Sequence, residues 1–352
     1  MQPSLSTVSS LVAVLSLLAQ APVIDLDHFL RRHIGLDAVS IQAVENGSIV
    51  ARRLPSDDGR EIAVFGIARV AFPAEFLSSR FRDIEVFKKS YAVPEVGRFG
   101  ETPSLSDLAG LSVPRKDLED LERCRIGACK LRLSSHYIQR FRDEVDWSHD
   151  DRLQQAELLF KEMLVERALV YQRGGSRALA AYEDKDAAVS LRQDFESILE
   201  ASSYLLDYVP ELASYLREYP DSQLEGTETI LYWSKEDFGM KPVISVTHSV
   251  LYRWRHGDEE ELIIASKQLY ASHYFDSSLG LTALLEVEEE GQSPARYLVY
   301  LNRSRSLDLG GFFGGLKRSI VSGKIVDGLE MNLLYTRARL QAIYRQQQLL
   351  ER

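Results

Sequence analysis

The first strongly patterned stretch of the chain alternates apolar and polar residues. Residues 38–53, AVSIQAVENGSIVARR, alternate on both sides of Asn46 and Gly47. An Asn-Gly pair between two alternating runs is typical of a β-hairpin, because both residues tolerate the left-handed backbone of a tight turn. A second alternating run, GREIAVFGIARVAF, begins at Gly59. The pattern predicts three antiparallel strands at the start of the fold.

Helical spacing replaces this alternation after Pro73. Apolar residues in PAEFLSSRFRDIEVFKK recur near helical spacing, which predicts an amphipathic helix packed on the sheet. From residue 102 to residue 220 strand patterns are almost absent, and residues 150–172 and 191–208 each carry one apolar stripe. We therefore expect a mainly helical block between two β regions.

Strand patterns return at Thr227. Five segments separated by Gly, Pro or acidic turns are rich in β-branched and aromatic residues: TETILYWSKEDFG, KPVISVTHSVLYRW, ELIIASKQLYASHYF, LGLTALLEVEEE and ARYLVYLNRS. A glycine-rich stretch, LGGFFGGLKR, follows them. From about Leu316, leucines and an isoleucine at helical spacing predict a long C-terminal helix with one buried face. The order of elements places the chain in the α+β class.

Composition and charge narrow the classes of partner. The 352 residues are 45% hydrophobic and 27% charged, which excludes disordered and collagen-like chains. The net charge of −10 argues against a nucleic-acid partner, since no basic patch dominates. Residues 316–352 carry seven Lys and Arg against three Asp and Glu, a net +4. This segment suits peripheral contact with an anionic membrane, the protein's own acidic segments, or a solvated helix face.

The first residues resemble a secretory signal peptide. The apolar run Leu11 to Leu18 precedes Ala19-Gln20-Ala21 and Pro22, a pattern typical of cleavage after Ala21, although no Lys or Arg precedes the run. Eight apolar residues are too few to span a bilayer, which needs about 20. We expect export, to the bacterial periplasm, with a buried N-terminal helix as the alternative.

Cys124 and Cys129 are the two cysteines of the chain. In an exported protein such a close pair favours a disulfide, and Gly127 gives the intervening chain freedom to turn. Two thiols are too few for a four-ligand structural zinc site, and a redox pair normally has the tighter C-x-x-C spacing. We predict a structural disulfide, with two buried thiols as the alternative.

Linear motifs of common enzymes are absent from the sequence. It contains no G-x-S-x-G, G-x-x-x-x-G-K-[ST], G-x-G-x-x-G or H-E-x-x-H pattern. No catalytic residue, metal or cofactor is therefore assigned. A catalytic site assembled from distant residues would leave no such trace.

Aromatic and imidazole side chains concentrate in the second β region. His248 falls on the more apolar face of its predicted strand, and His273 stands beside Tyr274. Either histidine could orient a ligand, act as a general base, or bind a metal with Asp276 or Glu236. Rings with polar tips suit a ligand pocket, although packing of sheet against helix would use the same residues. The predicted ligand-binding residues are Tyr232, Trp233, His248, Tyr252, Tyr270, His273 and Tyr274.

The glycine-rich stretch before the terminal helix combines a free backbone with two aromatic rings. Its residues are Gly310, Gly311, Phe312, Phe313, Gly314 and Gly315. A hinge of this kind could open a cavity and place the phenylalanines at a lipid interface, so we predict a gate. A connector whose phenylalanines fill the core is the alternative.

The order of elements resembles the START-like helix-grip fold, in which a curved sheet wraps a long C-terminal helix around an apolar cavity. GIARVAFPAEFLSSRFRDIEVF is similar to the passage in that family from a strand through a proline into a helix, and GGFFGG is similar to its gating loop. The resemblance covers residues 36–90 and 227–345 and requires residues 102–220 to be a large insertion. The paired cysteines and YWSKE also resemble a family of uncharacterised bacterial exported proteins. A cystatin-like or lipocalin-like sheet is the alternative.

The resemblance implies a division of the chain and a function. The expected segments are a signal peptide (1–21), the first half of a START-like domain (22–101), a helical insertion (102–226) and the second half (227–352). The implied function is an exported carrier that encloses a lipid or another apolar small molecule. The alternatives are an enzyme acting on a hydrophobic substrate through His248 and His273 with a nearby carboxylate, or an envelope protein that docks through its insertion. The pattern leaves the oligomeric state, and whether the two β regions share one sheet, open.

Overall fold

The computed structural model describes residues 25–237, 241–256, 259–288, 291, 293–309 and 314–351. The predicted signal peptide and residues 310–313 of the predicted gate lie outside the described residues. Gly314 and Gly315, the last two residues of that stretch, begin the C-terminal helix.

The described chain starts with helices, and the predicted hairpin over residues 38–53 is wrong. Helix α1 (Leu26–Phe29) leads into a π-helical turn (Leu30–Ile34), and α2 spans Ala38–Glu45. The Asp37 carboxylate caps α2 by accepting the Ser40 backbone N–H at 2.8 Å. So short an alternating run fits a helix as well as a strand. Gly47, with φ 88°, turns the chain after this helix instead of joining two strands.

Two strands and two short helices follow. Their bounds are β1 Val50–Leu54, β2 Glu61–Val70, α3 Ala74–Arg82 and α4 Ile84–Lys88. The single helix predicted after Pro73 is divided at Asp83, which leaves the helical backbone and caps α4 with its side chain. A third strand, β3, spans Glu95–Arg98. It lies at the far edge of the sheet. The predicted three-stranded start is therefore reduced to the antiparallel pair β1–β2, because the first of its three strands is helix α2.

The predicted helical insertion is confirmed between β3 and β4. After a 3-10 turn at Leu105–Leu108 come α5 Arg115–Leu121, α6 Ser135–Glu144, α7 Arg152–Gly174, α8 Leu191–Ala201, α9 Ser203–Tyr208 and α10 Pro210–Glu218. Cys124 and Cys129 form the predicted disulfide in the loop after α5.

The five strands and the terminal helix predicted for the rest of the chain are also confirmed. They are β4 Thr227–Glu236, β5 Val243–His256, β6 Glu259–Ala271, β7 Ser277–Val287, β8 Ala295–Arg305 and α11 Gly314–Leu350. None of the helices in the described part of the chain is long and apolar enough to cross a membrane.

All eight strands belong to one antiparallel sheet with the order β1-β2-β8-β7-β6-β5-β4-β3. The two β regions of the sequence are joined where β2 pairs with β8 over ten positions, from Glu61 opposite Arg305 to Val70 opposite Arg296. The sheet is curved, and α11 packs along β1 and β2. This arrangement is compatible with a helix-grip fold.

The sheet is the middle layer of three, because both of its faces are covered. On the face that we call the helix face, Ile62 and Val64 pack with α3 and with Leu329 and Leu333 of α11. A β-carbon at Gly66 would overlap the Leu333 side chain, so a glycine in mid-strand lets α11 approach closely. The opposite face, here called the insertion face, packs on the N-terminal helices and on α5 to α10. Successive side chains of each strand alternate between these faces.

Candidate functional site

The predicted ligand-binding residues are distributed over both faces of the sheet. Tyr232 points to the helix face with the core of α3 and α11. Trp233, His248, Tyr252 and Tyr270 lie on the insertion face. His273 and Tyr274 lie in the turn after β6. The sheet therefore separates Tyr232 from the others, and a ligand-binding role for each residue stays a prediction.

Several of these side chains make contacts inside the fold. The Trp233 Nε1–H donates to the backbone carbonyl of Asp107 at 2.8 Å. The Tyr252 hydroxyl donates to a carboxylate oxygen of Glu211 at 2.9 Å. Tyr270 is fully buried in the core between the sheet and the insertion. Such contacts are what a packed sheet-to-helix layer requires of polar aromatic residues.

His273 lies between two hydrogen-bond acceptors. Its Nε2 is 2.9 Å from the Asp117 carboxylate, and its Nδ1 is 3.1 Å from the backbone carbonyl of Lys130. Asp117 also pairs with Lys241 at 3.3 Å. Both ring nitrogens are occupied, so the ring ties the turn after β6 to the insertion.

The carboxylates considered as partners for the histidines lie elsewhere. Asp276 is 3.0 Å from a guanidinium nitrogen of Arg132, and burial raises the pKa of Asp276. Glu236 points to the helix face, opposite to His248, because His248 pairs across the strands with Leu231. Within the described residues, no group of three or more His, Cys, Asp or Glu side chains could hold a metal ion.

A band of small polar residues crosses the helix face of the four central strands. We call it the polar strip; its members are Thr247 and Ser249 of β5, Ser266 and Gln268 of β6, Ser278 and Gly280 of β7, and Asn302 and Ser304 of β8. Each is a direct cross-strand neighbour of another member. Central strands covered on both faces are normally apolar on both faces, so this band departs from ordinary core packing.

Hydrogen bonds inside the polar strip run between its own side chains. The hydroxyls of Ser249 and Ser266 are 2.8 Å apart, and those of Ser278 and Ser304 are 2.9 Å apart. The Asn302 side-chain amide donates to the Ser278 hydroxyl at 3.0 Å. Ser266, Ser278 and Asn302 keep partial solvent exposure although they belong to central strands. The strip is therefore less tightly covered than the aliphatic part of the same face.

Two members of the polar strip, Gln268 and Gly280, have an unused hydrogen-bonding atom or room for a methyl group. The Gln268 Oε1 atom is buried and has no hydrogen-bond partner among the described residues. A β-carbon at Gly280 would make ordinary van der Waals contacts, the nearest at 3.6 Å from Asn302 and Tyr300, so a methyl group fits at this position. Aliphatic side chains such as Ile62 and Ile264 continue the same face, so apolar and polar surfaces adjoin.

A second feature is a cleft of about 590 Å³ at the β3–β4 side of the sheet. We call it the His248 cleft. Its buried lining residues are Phe99, Tyr171, Leu231 and His248, and its more exposed ones include Arg98, Glu101, Gln172, Tyr219 and Thr229. The end of α7 and the residue after α10 thus face the sheet across the cleft.

His248 is a buried lining residue of this cleft, with 2% of its surface exposed. Its Nδ1 is 2.9 Å from the Tyr171 hydroxyl, and its ring centroid is 4.5 Å from that of Tyr219. Nε2 has no hydrogen-bond partner in the described part of the chain. Burial, with a smaller contribution from nearby Lys267, lowers the pKa of His248 to about 3, so the imidazole is neutral at pH 7.

Lys267 is the cross-strand neighbour of His248 on the insertion face. Its amine bonds the Ser176 hydroxyl and lies 3.5 Å from the centre of the Phe195 ring. Burial lowers the pKa of Lys267 to about 7, so about half of the molecules carry a neutral amine at pH 7. Two basic side chains whose pKa values are both lowered by burial thus lie side by side on the insertion face.

Sequence reasoning found His248 but missed the residues around it. Tyr171 and Tyr219 belong to the insertion, where their positions read as ordinary helical core, and nothing in the linear pattern joins them to a strand. Lys267 did leave a signal, because it falls among the apolar positions Ile263, Ala265 and Leu269 of one predicted strand. A lone charge at such a position is seldom buried without a special environment.

The order and pairing of the elements are compatible with a helix-grip fold. The structure adds the two local features described above, the polar strip on one face of the sheet and the His248 cleft on the other. Comparisons of the chain with protein-family models, with curated proteins and with solved structures found no match.

Proposed function

We propose that the protein binds and carries an amphipathic small molecule, a lipid or another largely apolar compound with a polar end, between the helix face and α11. The polar strip carries this proposal. A core without water or ligand is normally apolar, so a band of serine, asparagine and glutamine across four central strands is unexpected there. A binding cavity, in contrast, needs a few convergent polar groups in an apolar wall.

The helix face has an apolar region and a polar region, which would contact two different parts of a ligand. Ile62, Ile264 and Leu298 would contact its apolar part, with about 25 cal/mol gained per Å² of apolar surface buried. The hydroxyls and amides of the strip would contact its polar end. The unpartnered Gln268 Oε1 supports this division, because a buried acceptor without a donor costs about 1–3 kcal/mol and a ligand donor or a water would satisfy it.

The proposed carrier also needs a route by which the ligand enters and a compartment in which it acts. Opening at Gly310–Gly315 would expose the ligand space between the sheet and α11, and β8 leads from the strip towards that stretch. The START-like resemblance supports a gate at this place. Export, carriage in the periplasm and contact with a membrane surface rest on the sequence pattern of residues 1–21 and 316–352.

Native mass spectrometry with organic extraction tests the proposal on protein purified from the envelope of its own cells. We expect a bound compound that is released on denaturation. Gly280→Val places methyl groups over the strip and should reduce the bound fraction at least tenfold. Gly280→Ala is the matched control, since its β-carbon makes only ordinary contacts of 3.6 Å or more, and it should keep the ligand.

Two outcomes contradict the proposal. A ligand-free mass in every wild-type preparation, with no compound in the extract, would argue against carriage. A ligand that stays equally bound in the valine and alanine variants would place the binding site away from the strip.

A further inference from the structure

We propose that the His248 cleft binds a neutral carbohydrate of one or two sugar rings, at a site separate from the ligand space under α11. The cleft opens on the insertion face and the polar strip lies on the helix face, so the sheet stands between them. This goes beyond the proposed carrier function and does not depend on it.

His248 leaves a buried ring nitrogen without a partner beside the cleft. Its Nδ1 and the Tyr171 hydroxyl are 2.9 Å apart, and either group can be the donor in this hydrogen bond. Nε2 is buried and has no hydrogen-bond partner in the described part of the chain. It is an N–H donor if the Tyr171 hydroxyl donates to Nδ1, and an acceptor if Nδ1 donates to the hydroxyl. A sugar hydroxyl both donates and accepts, so it would satisfy Nε2 in either case.

The charges at the cleft do not favour an anion. The imidazole is neutral, and the charged lining residues are Arg98, Glu101 and Asp107, one positive and two negative. A carboxylate or phosphate would be desolvated against a neutral ring, which is unfavourable. An uncharged oxygen acceptor, such as a sugar hydroxyl or ring oxygen, avoids that cost.

The side chains that line the His248 cleft also suit a sugar. The rings of Phe99, Tyr171 and Tyr219 line the cleft together with the polar side chains of Gln172 and Thr229. Sugars present C–H faces that pack on aromatic rings, while their hydroxyls bond amides and hydroxyls at the edges. A purely apolar ligand would leave the polar groups unpaired. A volume of about 590 Å³ lies in the range of small-molecule sites and accommodates one or two sugar rings.

Saturation-transfer difference NMR on the full chain tests this site. The probes are glucose, galactose, N-acetylglucosamine and cellobiose, with benzoate and phenol as the anionic and the apolar aromatic comparison. We expect transfer to at least one sugar and weaker or no transfer to benzoate and phenol. Thr229→Val, at an exposed position, should weaken sugar binding about 3- to 10-fold. His248→Phe should weaken it about tenfold or more, because it removes the ring nitrogens and keeps an aromatic ring.

Controls keep the test decisive if a buried substitution fails to fold. Thr336→Val makes the same chemical change on α11, on the other side of the sheet, and should leave sugar binding unchanged. If circular dichroism shows that His248→Phe is unfolded, Thr229→Val and Gln172→Ala decide the question. The proposal is overturned if no sugar gives transfer, if benzoate or phenol binds more tightly than every sugar, or if sugar binding is the same in wild type and the cleft variants.

Discussion

On the insertion face of the central strands, buried Lys and Arg side chains lie among the apolar ones, whereas on the helix face a band of uncharged polar side chains crosses four strands. On the insertion face, Arg303 of β8 pairs with Glu61 of β2 within the sheet at 2.5 Å. Asp194 of α8 pairs with Arg305 at 3.0 Å and with Arg60 at 3.2 Å, which joins the sheet to the covering helix. The polar strip bonds mainly to itself. The insertion face is thus joined to its covering layer by directional ion pairs, while the helix face makes weaker demands on the position of α11.

This difference bears on function, because an ion pair in a buried layer specifies one arrangement. A charge that loses its partner there costs far more than the pair contributes, so the insertion cannot shift without breaking several contacts at once. Hydroxyls that bond along the sheet permit the opposite layer to move. The proposed ligand uptake between the sheet and α11 is consistent with the hydroxyl-lined helix face and not with the ion-paired insertion face.

The largest effect is expected from the ion-pair cluster around Arg132. Its guanidinium lies within 3.0 Å of Asp184, Asp276 and Asp308, which joins the insertion to the ends of β7 and β8. Arg132→Met leaves these carboxylates without their cation and should lower the free energy of unfolding by about 4 kcal/mol. Urea unfolding at pH 7 measures this. The control is Arg115→Met, which removes an exposed partner of Glu119 and should cost less than about 1 kcal/mol. Equal losses in the two variants would contradict the contrast.

A pH series on Lys267 tests the insertion face in a second way. Its pKa of about 7 in the folded protein lies below the ordinary value of 10.5, so the unfolded chain binds more protons between these pH values. Stability therefore rises with pH over this interval. Between pH 7 and pH 10 the wild type should gain about 3 kcal/mol of unfolding free energy relative to Lys267→Met. Urea unfolding of both proteins at four pH values measures the gain, and parallel curves would show that the amine titrates normally.

Long strands were the most predictable part of the fold, because β4 to β8 each span ten or more residues, are rich in β-branched and aromatic side chains, and are separated by clear turn signals. The terminal helix was equally clear from its leucine spacing. The short run over residues 38–45 was misread, since eight residues with Ile41 and Val44 buried satisfy either period and the Asp37 cap decided for a helix. The apolar pattern of so short a segment does not predict its secondary structure where a single capping side chain stabilises the helix over the strand.

The candidate sites were predictable only in part. The pattern correctly placed His248 on the apolar face of its strand, where it is 2% exposed. It could not reveal the polar strip, because serines that alternate with apolar residues in β5 resemble a solvent-facing side, whereas Ser249 is fully buried in the fold. It also could not bring Tyr171 to His248, since 77 residues separate them along the chain. Contacts of this kind depend on topology.

The attachment of α11 to the helix face should show an intermediate effect. Leu333 is 4% exposed and packs over β2, where Gly66 leaves it room, whereas its neighbour Leu334 is 44% exposed. Leu333→Ala should cost about 2–3 kcal/mol, because it removes buried methyl groups and leaves a cavity. Leu334→Ala is the matched control and should stay within about 0.5 kcal/mol of wild type. Similar losses at both positions, measured by urea unfolding, would mean that α11 packs through a different face.

The smallest expected loss of stability is at Ser278 in the polar strip, and it tests whether the strip is hydrated or as dry as the rest of the core. Ser278→Ala removes a hydroxyl that bonds Ser304 and Asn302, and partly exposed groups at this place can turn to water or ligand. We expect a loss below about 1 kcal/mol. Ser272→Ala makes the same chemical change at a fully buried hydroxyl that accepts the backbone N–H of Ile244 at 3.0 Å, and it should cost about 1–3 kcal/mol because that N–H is left unpaired. If urea unfolding gives equal losses for the two serines, the strip is as dry as the core around Ser272 and offers no room for the polar end of a ligand.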